Sequence, residues 1–291
     1  MQLSGVFASL PTPFDHLGEV YVPKVRYNIG LLDQTTVSGY LVGGVDGEGA
    51  LLSRAERIAL WKTTADAAGE KLVVPATGAA SVHETLELLT EASQMGFETA
   101  LIQTPGGGGP ELLRAETQAL FVRSVADSSP IPLIVSPECC SGELLQPEVL
   151  GSLARHPRVA ALRLATDDLD YFRSCLAAAE GHADVIVGCV SLLAEGLIAG
   201  ASAAMISFAA VVPYLCLSID EAVRTREADA ARDLQGMAVG AIEKIRKHGI
   251  PGLKAAADLK GYYGGVPRLP LAPLPSAAKA EIEAALQQIK S

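Results

Sequence analysis

Arg163 is a permanent cation inside an otherwise apolar stretch, VAALRLA (159–165), whose length and composition fit a buried strand. A guanidinium has five N–H donors and no lone pair to offer. It can clamp a carboxylate or phosphate, or form half of a buried ion pair, but it cannot attack a carbonyl. Three acidic residues stand where they could partner it or act as bases: Asp46 and Glu48 in GGVDGEG (43–49), and Glu138 after LIVSP (133–137). Ser136 carries a hydroxyl in that second segment. The five histidines (16, 83, 156, 182 and 248) all fall away from the apolar runs, so Ser136 lacks the imidazole base of a catalytic triad. The same absence leaves Asp46, Glu48 and Glu138 as a poor ligand set for a transition metal, and no metal or cofactor is expected. The nine lysines leave the whole span 72–243 empty.

These groups need a scaffold. Eight short apolar runs recur along the chain: 5–10, 39–44, 71–78, 99–105, 132–137, 159–165, 184–190 and 203–209. Amphipathic segments separate them. Ser53 and Glu56 spell a capping box ahead of the helix expected over 53–69, and Ser81 with Glu84 opens another that ends at Gly96. Strands that are apolar throughout, each followed by a helix, describe a parallel sheet covered on both faces. The fold class expected is a (β/α)8 TIM barrel, at 1–215, with a C-terminal helical extension, at 216–291, made of helices over 218–247, 250–262 and 275–290. An open doubly wound sheet fits less well, because no GxGxxG follows the first strand. In such a barrel the chemistry lies at the carboxyl ends of the strands. That criterion keeps Arg163, Asp46, Ser136, Glu138, Ser191 and Ser207 in view, and Gly188 to Ser191, after the seventh strand, is the segment better placed for an anion. Ser191 is further expected to cap a helix N-terminus that could face an anion.

Composition narrows the partners. The chain has 291 residues, 49% hydrophobic, with 23 basic and 33 acidic side chains and a net charge of −10. No Lys/Arg-rich run exists to neutralise phosphates, which argues against nucleic acid. Residues 196–219 are uncharged for long enough to span a bilayer, but Gly196, Gly200, Ser202, Ser207, Pro213 and Ser218 divide them into a helix end, a buried strand and a turn. No membrane association is expected. Five cysteines without a CxxC pair suggest no disulfide framework. The opening MQLSGVFASLPTPFD has no basic segment of a secretory signal, so a cytoplasmic location is expected. The run PGGGGP (105–110) lacks the Lys-Ser/Thr ending of a phosphate loop and reads as a glycine linker.

Several stretches together resemble the pyruvate-dependent lyases and aldolases that include dihydrodipicolinate synthase and N-acetylneuraminate lyase. They are GVFASLPTPFD at the start, GGVDGEGALLSRAER (43–57), TP at 104–105, IPGLKAA (250–256) and GGVPRLPLAPL (264–274), covering nearly the whole chain. The resemblance implies a homo-oligomer, dimer or tetramer, acting on a small anion such as a 2-keto acid through a Schiff base to a lysine on the sixth strand. Arg163 matches that lysine. The tyrosine of the family's proton relay, at the end of the fifth strand, falls on Val135 or Ser136. The threonine pair becomes Val45–Asp46, two aromatic positions become Gly106 and Gly107, and the entrance arginine falls near Cys140. By this match the resemblance makes Arg163, Asp46 and Ser136 the catalytic candidates, and Val45, Glu138, Gly188, Ser191 and Ser207 the ligand-binding ones. The resemblance thus implies the fold, while these substitutions remove the family's mechanism. Two functions stay open: an enzyme repurposed for a small anionic substrate, or a non-catalytic binding or assembly protein with a degenerate pocket. A charge pair between Arg163 and Asp46 or Glu138, and a ligand clamp at Arg163, are both compatible with the pattern.

Overall fold

The computed structural model describes residues 3–106, 109–137 and 144–289. The eight apolar runs form β1 (Gly5–Ser9), β2 (Gly39–Val42), β3 (Leu72–Pro75), β4 (Ala100–Gln103), β5 (Leu133–Ser136), β6 (Val159–Leu164), β7 (Asp184–Val187) and β8 (Ala203–Ile206). They lie in one sheet in the order β3-β2-β1-β8-β7-β6-β5-β4. A parallel bridge between Ala76 and Leu101 joins the two ends of that order. The fold is a (β/α)8 barrel with a C-terminal helical extension. Each strand is almost wholly buried, as expected of a sheet covered on both faces.

Between the strands run α1 (Val22–Leu32), α2 (Arg54–Ala67), α3 (Val82–Gln94), α4 (Ala115–Ser128), α5 (Pro147–Ala154), α6 (Leu169–Ala179) and α7 (Leu193–Ile198). The expected caps form: Ser53 and Glu56 make a reciprocal capping box on α2, and the Ser81 side chain accepts from the Glu84 N–H on α3. After β8 come α8 (Pro213–Arg224), α9 (Ala228–Lys247), α10 (Gly249–Leu259) and α11 (Ser276–Leu286). The single helix expected over 218–247 is therefore two. Arg226 takes a left-handed conformation, φ 66°, and the Glu227 N–H turns back to the Ala222 carbonyl. The Thr225 hydroxyl donates to the carbonyls of Glu221 and Ala222, which completes the break. No glycine or proline marks that stop, so the sequence pattern runs straight through it. The uncharged stretch 196–219 divides into the end of α7, β8 and the start of α8. Among the described residues no helix is long and apolar enough to cross a membrane.

The chain forms two compact units. Val74–Ala204, with the N-terminal residues up to Ser4, makes the first; Gly5–Val73 and Met205–Ser291 make the second. In the first, β4 to β7 pair in parallel, each with the next. Between β5 and β6 the register shifts by one residue: Leu133 faces Val159, but Ile134 faces Ala161. This bulge skips Ala160 and sets which residues meet at the strand ends. In the second unit, Phe7, Ala8 and Ser9 of β1 pair with Gly39, Tyr40 and Leu41 of β2.

Candidate active site

In the first unit the site is built by register. A Cβ placed on Gly196 of α7 would lie 2.6 Å from Val187 Cγ2, so Val187 points at the helices. Leu164 pairs with Val187 and Arg163 with Ile186; alternation then turns Arg163 to the face away from the helices. The bulge aligns Ser136 with the same position. Without it, Ser136 would stand beside Leu162. Arg163 is 5% exposed. Its Nη1 donates to Ser136 Oγ at 3.2 Å and its Nη2 to the Gly188 carbonyl at 3.1 Å. The Ser136 hydroxyl in turn donates to the Arg163 carbonyl at 3.3 Å. Both oxygens are neutral. They orient the fork without themselves cancelling its charge.

Gly188 is obligatory here for steric reasons, since a Cβ would lie 2.9 Å from the Ala165 nitrogen and from the Leu164 carbonyl. Thr104 closes the neighbouring strand end, its N–H donating to the Ser136 carbonyl at 3.3 Å. Ser191 does not cap a helix. It sits inside a short 3-10 turn, Val190–Leu192, and the N-cap of α7 is Leu192. The chain spends Cys189 to Leu192 on that turn before the helix begins, so the expected anion-facing terminus is not formed by Ser191. Glu138, Cys139, Cys140 and Gly107 lie outside the described residues.

The second unit holds Asp46, Val45 and Ser207. Val45 is exposed and Asp46 half-buried at the tip of a turn spanning 43–49. Asp46 Oδ2 accepts from the Ser9 hydroxyl at 3.1 Å, which fixes a carboxylate beside the carboxyl end of β1. Ser207 follows β8 directly, half-buried, at the start of a short 3-10 turn. Ser9 was not among the sequence candidates; its signal was a lone hydroxyl ending an apolar strand.

The second missed residue is Lys254, on α10. It lies beyond the lysine-free span 72–243 and was not singled out by the sequence pattern, yet it is 1% exposed. Its Nζ lies 2.5 Å from Glu48 Oε1, donates to the Val266 carbonyl at 2.9 Å, and stands 4.4 Å from the centroid of the Phe14 ring. Burial pushes its pKa down, and the Glu48 carboxylate pulls it back up. Arg268 also lies 4.4 Å from the Phe14 ring centroid and pairs with Glu56. That contact holds the Glu56 carboxyl at about 2. The signal for Lys254 was its setting, GLKAAA, where small apolar neighbours leave a long side chain among buried residues.

Among the described residues no three His, Cys, Asp or Glu side chains gather closely enough to hold a metal ion. Burial raises the Cys216 thiol to about 12 and the Cys175 thiol to about 11, so both are protonated and inert.

Comparison with known proteins bears on the whole chain. The model of the dihydrodipicolinate synthetase family matches residues 2–289. A 4-hydroxy-tetrahydrodipicolinate synthase of Exiguobacterium sp. is 28% identical, over 98% of this chain and 97% of its own length. An L-threo-3-deoxy-hexylosonate aldolase of Aspergillus niger is 31% identical, over 95% of this chain and 92% of its own. The solved N-acetylneuraminate lyase of Proteus mirabilis superposes with a TM-score of 0.87 at 26% identity, covering 99% of this chain and 98% of that one.

Proposed function

The chain belongs to the dihydrodipicolinate synthetase family, and we propose that it is an aldolase-like member that binds a small anionic 2-keto acid without forming a Schiff base. The observation that carries this reading is Arg163: a buried, oriented guanidinium on the sixth strand, where the family resemblance places the imine-forming lysine. An imine needs a neutral amine, and arginine stays protonated at any accessible pH. The same fork suits a carboxylate, or the oxyanion that develops when a proton leaves the carbon next to a ketone. Asp46 or Glu138 serves as the base in this reading. Val45, Gly188, Ser191 and Ser207 are assigned to the ligand's surroundings. The protein is further read as a cytoplasmic homo-oligomer, dimer or tetramer, which light scattering on the purified protein tests directly.

Borohydride trapping decides the chemistry. The protein is incubated with pyruvate and with larger 2-keto acids, reduced, and its intact mass recorded beside a lysine-bearing relative that traps. No adduct is expected here, while calorimetry should show non-covalent pyruvate binding that weakens at least tenfold in Arg163→Met. A covalent adduct would overturn the proposal and send peptide mapping after another lysine. Neither adduct nor binding nor turnover would leave the non-catalytic binding or assembly role.

A further inference from the structure

The turn that carries Asp46 is held from the far side by residues more than 200 positions away. Three backbone hydrogen bonds close it: Gly47 to Gly44 at 3.1 Å, Glu48 to Val45 at 2.9 Å and Gly49 to Gly44 at 3.0 Å. The Thr12 hydroxyl donates to the Gly47 carbonyl at 2.6 Å. At the end of the turn Glu48 adopts a left-handed backbone, φ 56° and ψ 32°. A non-glycine residue is strained there, and glycine would relieve it. Glycine, however, has no carboxylate. Both carboxylate oxygens of Glu48 face the C-terminal region: Oε1 forms an ion pair with Lys254, and Oε2 accepts from the Arg268 N–H at 2.7 Å. The Arg268 side chain then donates to the Gly18 and Leu51 carbonyls, at 3.0 and 2.8 Å, and to Glu56. One cation thus ties the segment after Phe14 to the segment that follows the turn.

A buried ion pair is a weak source of net stability, because an apolar pair of the same volume packs as well without the desolvation cost. What the pair does supply is a fixed geometry for a strained turn. We infer that Lys254 and Arg268, both in the C-terminal region, are positioning residues for the Val45–Asp46 tip. By anchoring Glu48 two residues beyond Asp46, they keep the Asp46 carboxylate against Ser9. The C-terminal region is then part of the site's machinery. The functional weight of this inference rests on the reading of Asp46 given above.

The test uses the full chain with Glu48→Gln and Lys254→Met combined, which removes both charges together and leaves no buried ion without a partner. Three quantities are measured: the thermal midpoint, amide hydrogen exchange of residues 47–49, and pyruvate affinity by calorimetry. Expected are a midpoint within a few degrees of wild type, loop amides that exchange at least tenfold faster, and pyruvate binding weakened at least tenfold. A folded double variant whose loop amides exchange as in wild type overturns the inference, since the pair would then be packing only. Should the double variant fail to fold, Arg268→Lys keeps a cation near Phe14 but cannot reach Gly18 and Leu51 at once. In that variant, faster exchange of the same amides supports the positioning role and unchanged exchange overturns it. If the wild type binds no pyruvate while the variant's loop amides accelerate, positioning stands and only the ligand reading falls.

Discussion

Two regions of this protein hold buried or part-buried cations, and the contacts made there differ. Arg163 is oriented by a hydroxyl 27 positions away on β5 and a backbone carbonyl 25 positions away just after β7. Lys254 is met by a carboxylate 206 positions away and by an aromatic face, and Arg268 by the Glu56 carboxylate. The first contacts orient a charge through neutral oxygens; the second set pairs two cations with carboxylates. The contrast shows why burial alone says little about role: Arg163 and Lys254 are both nearly inaccessible.

The sharpest way to break the comparison is Arg163→Lys. If Arg163 stands at the imine position, the new lysine, its pKa lowered by burial, should gain a borohydride-trappable pyruvate adduct where wild type gives none. Absence of trapping in a folded Arg163→Lys protein would mean that the position is not equivalent. Next in size is Lys254→Met alone. It leaves the Glu48 carboxylate buried without its partner, and thermal or denaturant unfolding should show a loss of about 3–5 kcal/mol. A loss below about 1 kcal/mol would erase the distinction between the two cations.

Ser136→Ala should cost less, on the order of 1–2 kcal/mol, since it removes one acceptor from Arg163 and one donor to its carbonyl. Its more telling readout is pyruvate affinity, which should fall as the fork loses its orientation; unchanged affinity would show that Gly188 suffices. The smallest effect is in acid. The Arg268 hydrogen bond depresses the folded pKa of Glu56 to about 2 from an ordinary value of 4.5. Its contribution is therefore present above the ordinary value and is lost as pH falls toward 2. A pH series of unfolding midpoints should show that acid limb flattened in Glu56→Gln, and an identical limb in the variant would refute the assignment.

Much of the scaffold was legible in the sequence because it depends on local physics. Apolar runs of strand length, Ser53 with Glu56, Ser81 with Glu84, and the spacing between them reflect hydrogen bonds closed within a few residues and burial on both faces. The strand assignment of VAALRLA, and with it the placement of Arg163 near a strand end, followed from the same pattern. So did the absence of lysine from 72–243, which needs no structure at all to limit imine chemistry.

The rest was decided by tertiary contact. The bulge between β5 and β6 brings Ser136 beside Arg163, because skipping Ala160 changes which residues share a face, and nothing in LIVSP or VAALRLA announces it. The break between α8 and α9 depends on a left-handed arginine and a threonine that turns back on its own carbonyls, in a stretch without glycine or proline. Lys254 reads as an ordinary helical lysine until Glu48, Phe14 and Val266 close around it. By itself the sequence determined the alternation of elements and the types of charge available, since both follow from neighbours along the chain. Which charges meet was settled only when strands and loops distant in sequence came into register.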